Sequence, residues 1–259
     1  MTTRKVLIAL AGATVVVGAV ACGGTTTSTG SSQSPTATTA STTTEATAAT
    51  TTTTTAAAAP SACADLGGHV GPDQNCTVHT DGPGYTIDMR FPSTYPDQPA
   101  LTAILVRQRD QFVQAVTEPP VRDVPKALDI KSTPYSAPTL RTESLVLEEY
   151  VNVGGAHPET YYDALNFDLG TWKPITFETL FKPGTDPVAV LDPTVENELK
   201  TRLQGAPVDA NPIGAEMYKN FALTDDAVIF FIGQGMWTIE AAGAQQVSVP
   251  RSELASILA

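Results

Sequence analysis

The sequence predicts an α+β fold: a largely antiparallel mixed sheet with two or three packed helices, behind a disordered N-terminal tether. Three observations lead there. Tyr85-Thr-Ile-Asp-Met-Arg-Phe91 alternates apolar and polar residues at every step, the period of a strand with one buried face. Ala100–Glu118 instead sets Leu101, Ile104, Leu105, Phe112 and Val116 at helical spacing before Pro119-Pro120 stops it. Further along, strand-like and helix-like stretches follow one another without regular alternation, which argues against a parallel α/β sheet.

The chain opens with Arg4 and Lys5, then an apolar run from Val6 to Val20, and Ala19-Val20-Ala21 stands directly before Cys22. This is the pattern of a signal peptide, residues 1–21, ending in a lipobox. A membrane-spanning helix needs about 20 apolar residues; this run is shorter and carries Gly12 and Gly18. Cys22 is therefore expected to carry a diacylglycerol. Each buried CH₂ contributes about 0.8 kcal/mol toward holding the protein at the outer face of the cell membrane. Residues 22–60 are rich in Thr, Ala and Ser, with Glu45 as their one charge. Such a segment has too little apolar area to offset its backbone entropy and is expected to be a disordered linker, suited to O-glycosylation.

Residues 61–259 are expected to form the globular part, with enough chain for one substantial core or two small ones. With Cys22 lipidated, Cys63 and Cys76 remain as a pair across a Gly- and turn-rich loop. A disulfide there is worth about 3 kcal/mol. A metal bound by these thiols with His69 and His79 is the weaker expectation, because the thiols would oxidise first outside the cell.

Beyond Phe91, Pro92, Pro96 and Pro99 make a rigid connection to the first helix. Leu128-Asp-Ile130 and Leu140 are expected in short extended pieces broken by Pro134 and Pro138. Ser144–Val153 and Tyr161–Leu169 read as long paired strands, joined by Gly154-Gly-Ala-His-Pro158. After a turn at Gly170–Lys173, Thr176–Phe181 reads as a helical turn placing Phe177, Leu180 and Phe181 in the core. Pro187–Leu203 follows as an amphipathic helix bent at Pro193. Ala227–Ile232 is apolar on both faces, so it is expected at the centre of a sheet covered on both sides. Val247–Val249 is a last strand, and Ser252–Leu258 a terminal helix with Ser252 as N-cap.

The formal charge is −12. Such acidity disfavours nucleic acid and steers basic partners toward the surface.

Six segments then occur in order: Gly154-Gly-Ala-His-Pro158, Asn166-Phe-Asp-Leu169, Lys173-Pro-Ile-Thr-Phe-Glu-Thr-Leu-Phe181, Pro183-Gly-Thr-Asp-Pro187, Phe221-Ala-Leu-Thr-Asp-Asp226 and Val249-Pro-Arg-Ser-Glu-Leu254. In this series the chain resembles the RsiV family of extracytoplasmic domains and, more closely, the mycobacterial secreted immunogenic antigens of the MPT/MPB type. The resemblance spans roughly Tyr85–Ala259. It implies a β-grasp-like α+β arrangement. RsiV-type anti-sigma factors bind lysozyme with this domain but also carry a cytoplasmic sigma-binding region. Only a few residues precede the apolar run here, so that signalling role is not expected to carry over.

His157 is the most tempting catalytic residue, since it sits in a Gly-Gly loop and is one of three histidines. As a general base it needs a hydroxyl in reach and an orienting carboxylate. Ser144, Ser136, Asp163 and Asp168 are candidates, yet no Gly-x-Ser-x-Gly elbow occurs. The plainer expectation is that His157 caps its loop, with the glycines supplying positive φ. Glu148, Glu149, Asp163 and Asp168 are expected as solvated strand charges, with Asp163 and Asp168 on opposite faces. Gly233-Gln-Gly235, followed by Met236 and Trp237, is expected to lead a core aromatic out of a bulge.

The sequence thus points to an exported cell-envelope lipoprotein with a non-catalytic, monomeric domain. It is expected to bind a basic protein or a cell-wall glycan through the loop of Gly154, Gly155 and His157, without cofactor or metal. The alternative is a small secreted esterase-type hydrolase using His157 with Ser144.

Overall fold

The structure, a computed structural model, describes residues 61–117, 124–204, 207–208 and 214–259. The signal peptide, Cys22, the linker and the Pro119-Pro120 stop lie outside the described residues.

A short helix, α1 (Ala62–Asp65), starts on Ser61, whose hydroxyl accepts from the Ala64 amide. Strands β1 (His69–Val70), β2 (Asn75–Gly82) and β3 (Tyr85–Pro92) follow as antiparallel neighbours. Helix α2 (Gln98–Thr117) provides the long crossover that a parallel pair requires, and β4 (Lys126–Ala137) lies parallel to β3. β5 (Thr142–Asn152) and β6 (Glu159–Asp168) form a long antiparallel hairpin, and β7 (Lys173–Pro174) ends the seven-stranded sheet in sequential order. Next come α3 (Phe177–Leu180), α4 (Pro187–Arg202) and a three-stranded antiparallel sheet. This small sheet has β9 (Ala227–Ile232) between β8 (Phe221–Leu223) and β10 (Gln245–Pro250), and α5 (Arg251–Leu254) follows it. The α+β class with a mostly antiparallel sheet is as the sequence predicts. No described helix is long and apolar enough to cross a membrane.

Alternation along the strands decides the layers. Ile87, Met89, Leu128, Ile130, Leu145 and Leu147 face α2 and meet its Leu101, Leu105 and Phe112. The opposite face of the large sheet gives Val146 to Ala222, Ile229 and Phe231 of the small sheet. Val228, Phe230 and Ile232 then turn away and pack with Leu191, Val195 and Leu199 of α4, and with Tyr218 and Trp237. The order of layers is α2, large sheet, small sheet, α4. Each fully buried Leu- or Phe-sized side chain stabilises by about 1.5–3 kcal/mol, so these two helix-facing cores dominate the favourable energy.

Polar contacts stitch the sheets together. Ser144 Oγ donates to Asn166 Oδ1 at 2.5 Å, Asn166 Nδ2 donates to the Phe221 carbonyl at 2.8 Å, and the Leu223 amide donates to Ser144 Oγ at 3.0 Å. The outer edge of β6 pairs with β7 only at Phe167 and Asp168. Upstream, Asn220 and Gln234 satisfy it instead: Asn220 bonds Tyr162 and Ala164, and Gln234 bonds Thr160 in both directions.

Several expectations need correction. The region 126–137 is one strand, not pieces broken by Pro134. β3 pairs with β4 only as far as Lys131, so Pro134 lies where β4 has a single neighbour and its missing N–H is tolerated. The terminal helix begins at Arg251, with Pro250 rather than Ser252 at its N-cap. β2 was not expected at all.

Cys63 and Cys76 form the expected disulfide, with Cα atoms 5.6 Å apart. Both cysteines are buried beside Ala62 and Leu66. Replacing both by Ser should lower stability by about 3 kcal/mol, read as a fall in calorimetric Tm. An unchanged Tm would mean that packing alone holds this entrance.

Candidate functional site

The β5–β6 connection is a shaped loop. Gly154 adopts φ +84°, which favours glycine. Its amide donates to Asn152 Oδ1 at 3.0 Å. Gly155 and His157 are exposed. His157 Nδ1 lies 3.1 Å from the Pro158 carbonyl and Nε2 lies 2.6 Å from Glu240 Oε2. The imidazole thus ties the loop to the 3-10 turn Glu240–Ala242.

Ser144 is elsewhere. It sits eight residues down β5 from Asn152, roughly 26 Å at the usual strand rise. It is 2% exposed, and its hydroxyl is committed to Asn166 and Leu223. The structure does not bring Ser144 and His157 together. Asp168 closes its own turn, accepting from the Gly170 and Thr171 amides and the Thr171 hydroxyl, which hold its carboxyl below the ordinary value. His79 lies between Asp88, at 2.7 Å, and Asp81, at 3.2 Å, and these carboxylates raise its pKa. Among the described residues no group of three or more His, Cys, Asp or Glu is arranged to hold a metal ion. Trp237 is buried in the α4 core, as expected for that aromatic.

One carboxyl departs from expectation. Glu149 is not a solvated strand charge: it is 2% exposed and stands in the wall of a cleft between α2 and the β5–β6 hairpin. The cleft, about 320 Å³, is otherwise walled largely by apolar groups, among them Phe112, Leu128, Val151 and Val153. Leu147 opposes Asp163 in the hairpin register, so Asp163 shares the Glu149 face one step along. Arg107 Nη2 and Gln108 Nε2, both on α2, donate to Asp163 Oδ2 at 2.7 Å. Burial first, and then the neighbouring Asp163 carboxylate, push the Glu149 pKa up to about 9, while Arg107 and Gln108 oppose this less strongly. Glu149 is therefore a neutral acid at physiological pH. The signal was present in the sequence, since Leu145, Leu147, Glu149 and Val151 share one parity.

The family model described as a protein of unknown function, DUF3298, matches residues 178–252. Esterase Rv3036c of Mycobacterium tuberculosis strain H37Rv is 44% identical over 199 residues, covering 75% of this chain and 88% of that protein. Immunogenic protein MPB64 of Mycobacterium bovis is 40% identical over 202 residues, covering 76% and 88%. Immunogenic protein MPT64 of Mycobacterium tuberculosis matches with the same figures. The chain belongs to the family of these mycobacterial proteins. Among solved structures it is similar to a DUF3298 family protein from Pseudomonas aeruginosa PAO1, with TM-score 0.45, 15% identity, and 71% and 94% of the two chains covered. A DUF3298 family member from Bacteroides fragilis gives TM-score 0.47 and 14% identity, covering 71% and 93%.

Proposed function

We propose that this protein is an exported binding module of the cell envelope, lipid-anchored through Cys22, that takes a basic protein on its acidic surface rather than turning over a substrate. The observation that carries this reading is how its cations are spent. Arg90, Arg107, Arg109, Lys131, Lys200, Arg202 and Lys219 each stand against a carboxylate. Asp65, Glu148, Asp226 and Glu253 meanwhile lie exposed. With 27 acidic residues against 15 basic ones, local pairing leaves the surplus carboxylates to set the outward field. Such a field speeds the approach of a basic partner and fades as salt screens it. The disulfide supports an oxidising, extracytoplasmic setting. The resemblance to RsiV-type domains and the immunogenic names of the relatives support display outside the cell. In this reading the loop of Gly154, Gly155 and His157 is the contact, through its exposed Gly155 and His157 with Gly154 buried beneath them.

The test is retention of hen lysozyme, as a basic probe, on the immobilised mature protein. Retention at low salt that is lost at high salt is expected. No retention overturns the reading, and salt-insensitive sedimentation with insoluble peptidoglycan transfers the function to a glycan.

One observation favours a second reading, ester hydrolysis: a 44% identical relative is named an esterase. It needs His157 freed from Glu240 to act on water or on a hydroxyl other than Ser144. We expect any p-nitrophenyl butyrate turnover to survive His157→Ala unchanged. Turnover abolished by that substitution replaces the binding reading with the hydrolytic one.

A further inference from the structure

The cleft between α2 and the β5–β6 hairpin holds a group that surface charge leaves unused. Glu149 Oε1 is buried and has no hydrogen-bond partner. An unsatisfied buried polar atom costs about 1–3 kcal/mol. Native proteins seldom leave one without a partner, and a bound ligand is one way to supply it.

The groups facing Glu149 define what that partner must be. Asp163 lies beside it from β6, and its negative charge favours the protonated form of Glu149. A carboxyl oxygen keeps a lone pair to accept with in either protonation state, so the unpartnered Oε1 is an open acceptor. It asks for a donor. Arg107, from α2, already balances the Asp163 charge. Glu149 and Asp163 are the only Asp, Glu, Lys or Arg in the cleft wall among the described residues. Inside a protein of net charge −12, this cleft is therefore close to neutral. Neither a cation nor an anion finds net charge to meet there, because Asp163 is paired with Arg107. Beside Gln108, Gln111, Tyr161 and Tyr162, the wall presents Phe112, Leu128, Val151 and Val153, an apolar stretch that suits an alkyl chain. The volume of about 320 Å³ is at the lower end for small-molecule pockets, so it takes one short chain or the end of a longer one.

We propose that the α2/β5–β6 cleft binds an uncharged, hydroxyl-bearing lipid, its hydroxyl donating to Glu149 Oε1 and its alkyl chain lying against Phe112, Leu128, Val151 and Val153. This site is separate from the acidic surface and independent of what that surface binds.

The experiment is calorimetric titration of the intact mature protein with four eight-carbon probes that differ only in the head. These are 1-octanol, methyl octyl ether, octylammonium and octanoate. 1-Octanol should bind about tenfold more tightly than the ether, which lacks the donor, and more tightly than either ion. Glu149→Leu should bring the alcohol and ether to equal affinity. Val153→Trp, at a position 40% exposed at the cleft and outside the core, should abolish binding while leaving Tm unchanged. Equal affinity for alcohol and ether on the unmodified protein overturns the proposal. So does tighter binding of either ion, binding indifferent to Val153→Trp, or no binding of octanol.

Discussion

Glu149→Gln should raise the melting temperature at mildly alkaline pH and remove most of the loss of stability seen as pH rises. In the unfolded chain this carboxyl releases its proton near its ordinary value of 4.5, whereas in the folded chain it holds the proton until about 9. Between those limits the native state binds one proton more than the unfolded state. Stability contributed by this group is therefore fully present below the lower limit and drains away as pH climbs toward the upper one. The slope is about 1.4 kcal/mol per pH unit, so by neutral pH the group costs about 3 kcal/mol relative to a neutral side chain of the same shape. Glutamine keeps the shape and an acceptor and never ionises. Thermal unfolding of both proteins at mildly acidic and mildly alkaline pH checks this. Parallel decline of the two curves would show that another group titrates.

Asn166→Ala should destabilise the protein by about 3 kcal/mol, because two buried groups lose partners together at about 1–3 kcal/mol each. Asn166 accepts from Ser144 and donates to the Phe221 carbonyl, so it joins the large sheet to the small one at a place water does not reach. Ser144→Ala should cost about as much, since it too leaves two buried groups without partners. It strands the Leu223 amide and Asn166 Oδ1, while Asn166 stays bonded to Phe221. The two variants should also be strongly non-additive, since they break one network. Denaturant midpoints for both singles and the double decide it. A loss below about 0.5 kcal/mol for Asn166→Ala would assign the junction to Val146, Ile229 and Phe231 alone.

The parts of the fold that were legible in the sequence are those with an uninterrupted local period. Tyr85–Phe91, the helix from Ala100, the β5–β6 hairpin and the doubly buried Ala227–Ile232 all announce themselves this way. β2 does not. Only Cys76 and Val78 of its eight residues are buried, too brief an alternation to stand out from a turn-rich stretch. The single strand through Pro134 is hidden for a different reason: whether a proline breaks a strand depends on where the neighbouring strand ends, which is not local information. The same division runs through the site. An acid at Glu149, in step with Leu145, Leu147 and Val151, is readable from parity alone. Its meeting with Asp163 depends on hairpin register, and the Arg107 and Gln108 contacts depend on where α2 crosses. The separation of Ser144 from His157 follows once both are placed on one hairpin, at opposite ends of β5.

The borders of the seven-stranded sheet are its shortest members, His69–Val70 and Lys173–Pro174. Pro174 lacks the donor that an incoming backbone would seek. Along these two strands a neighbouring molecule finds almost nothing to zip onto. Many copies crowded together should therefore find little purchase at these two borders for joining into ribbons, even though most of each molecule's hydrogen-bonded framework is sheet.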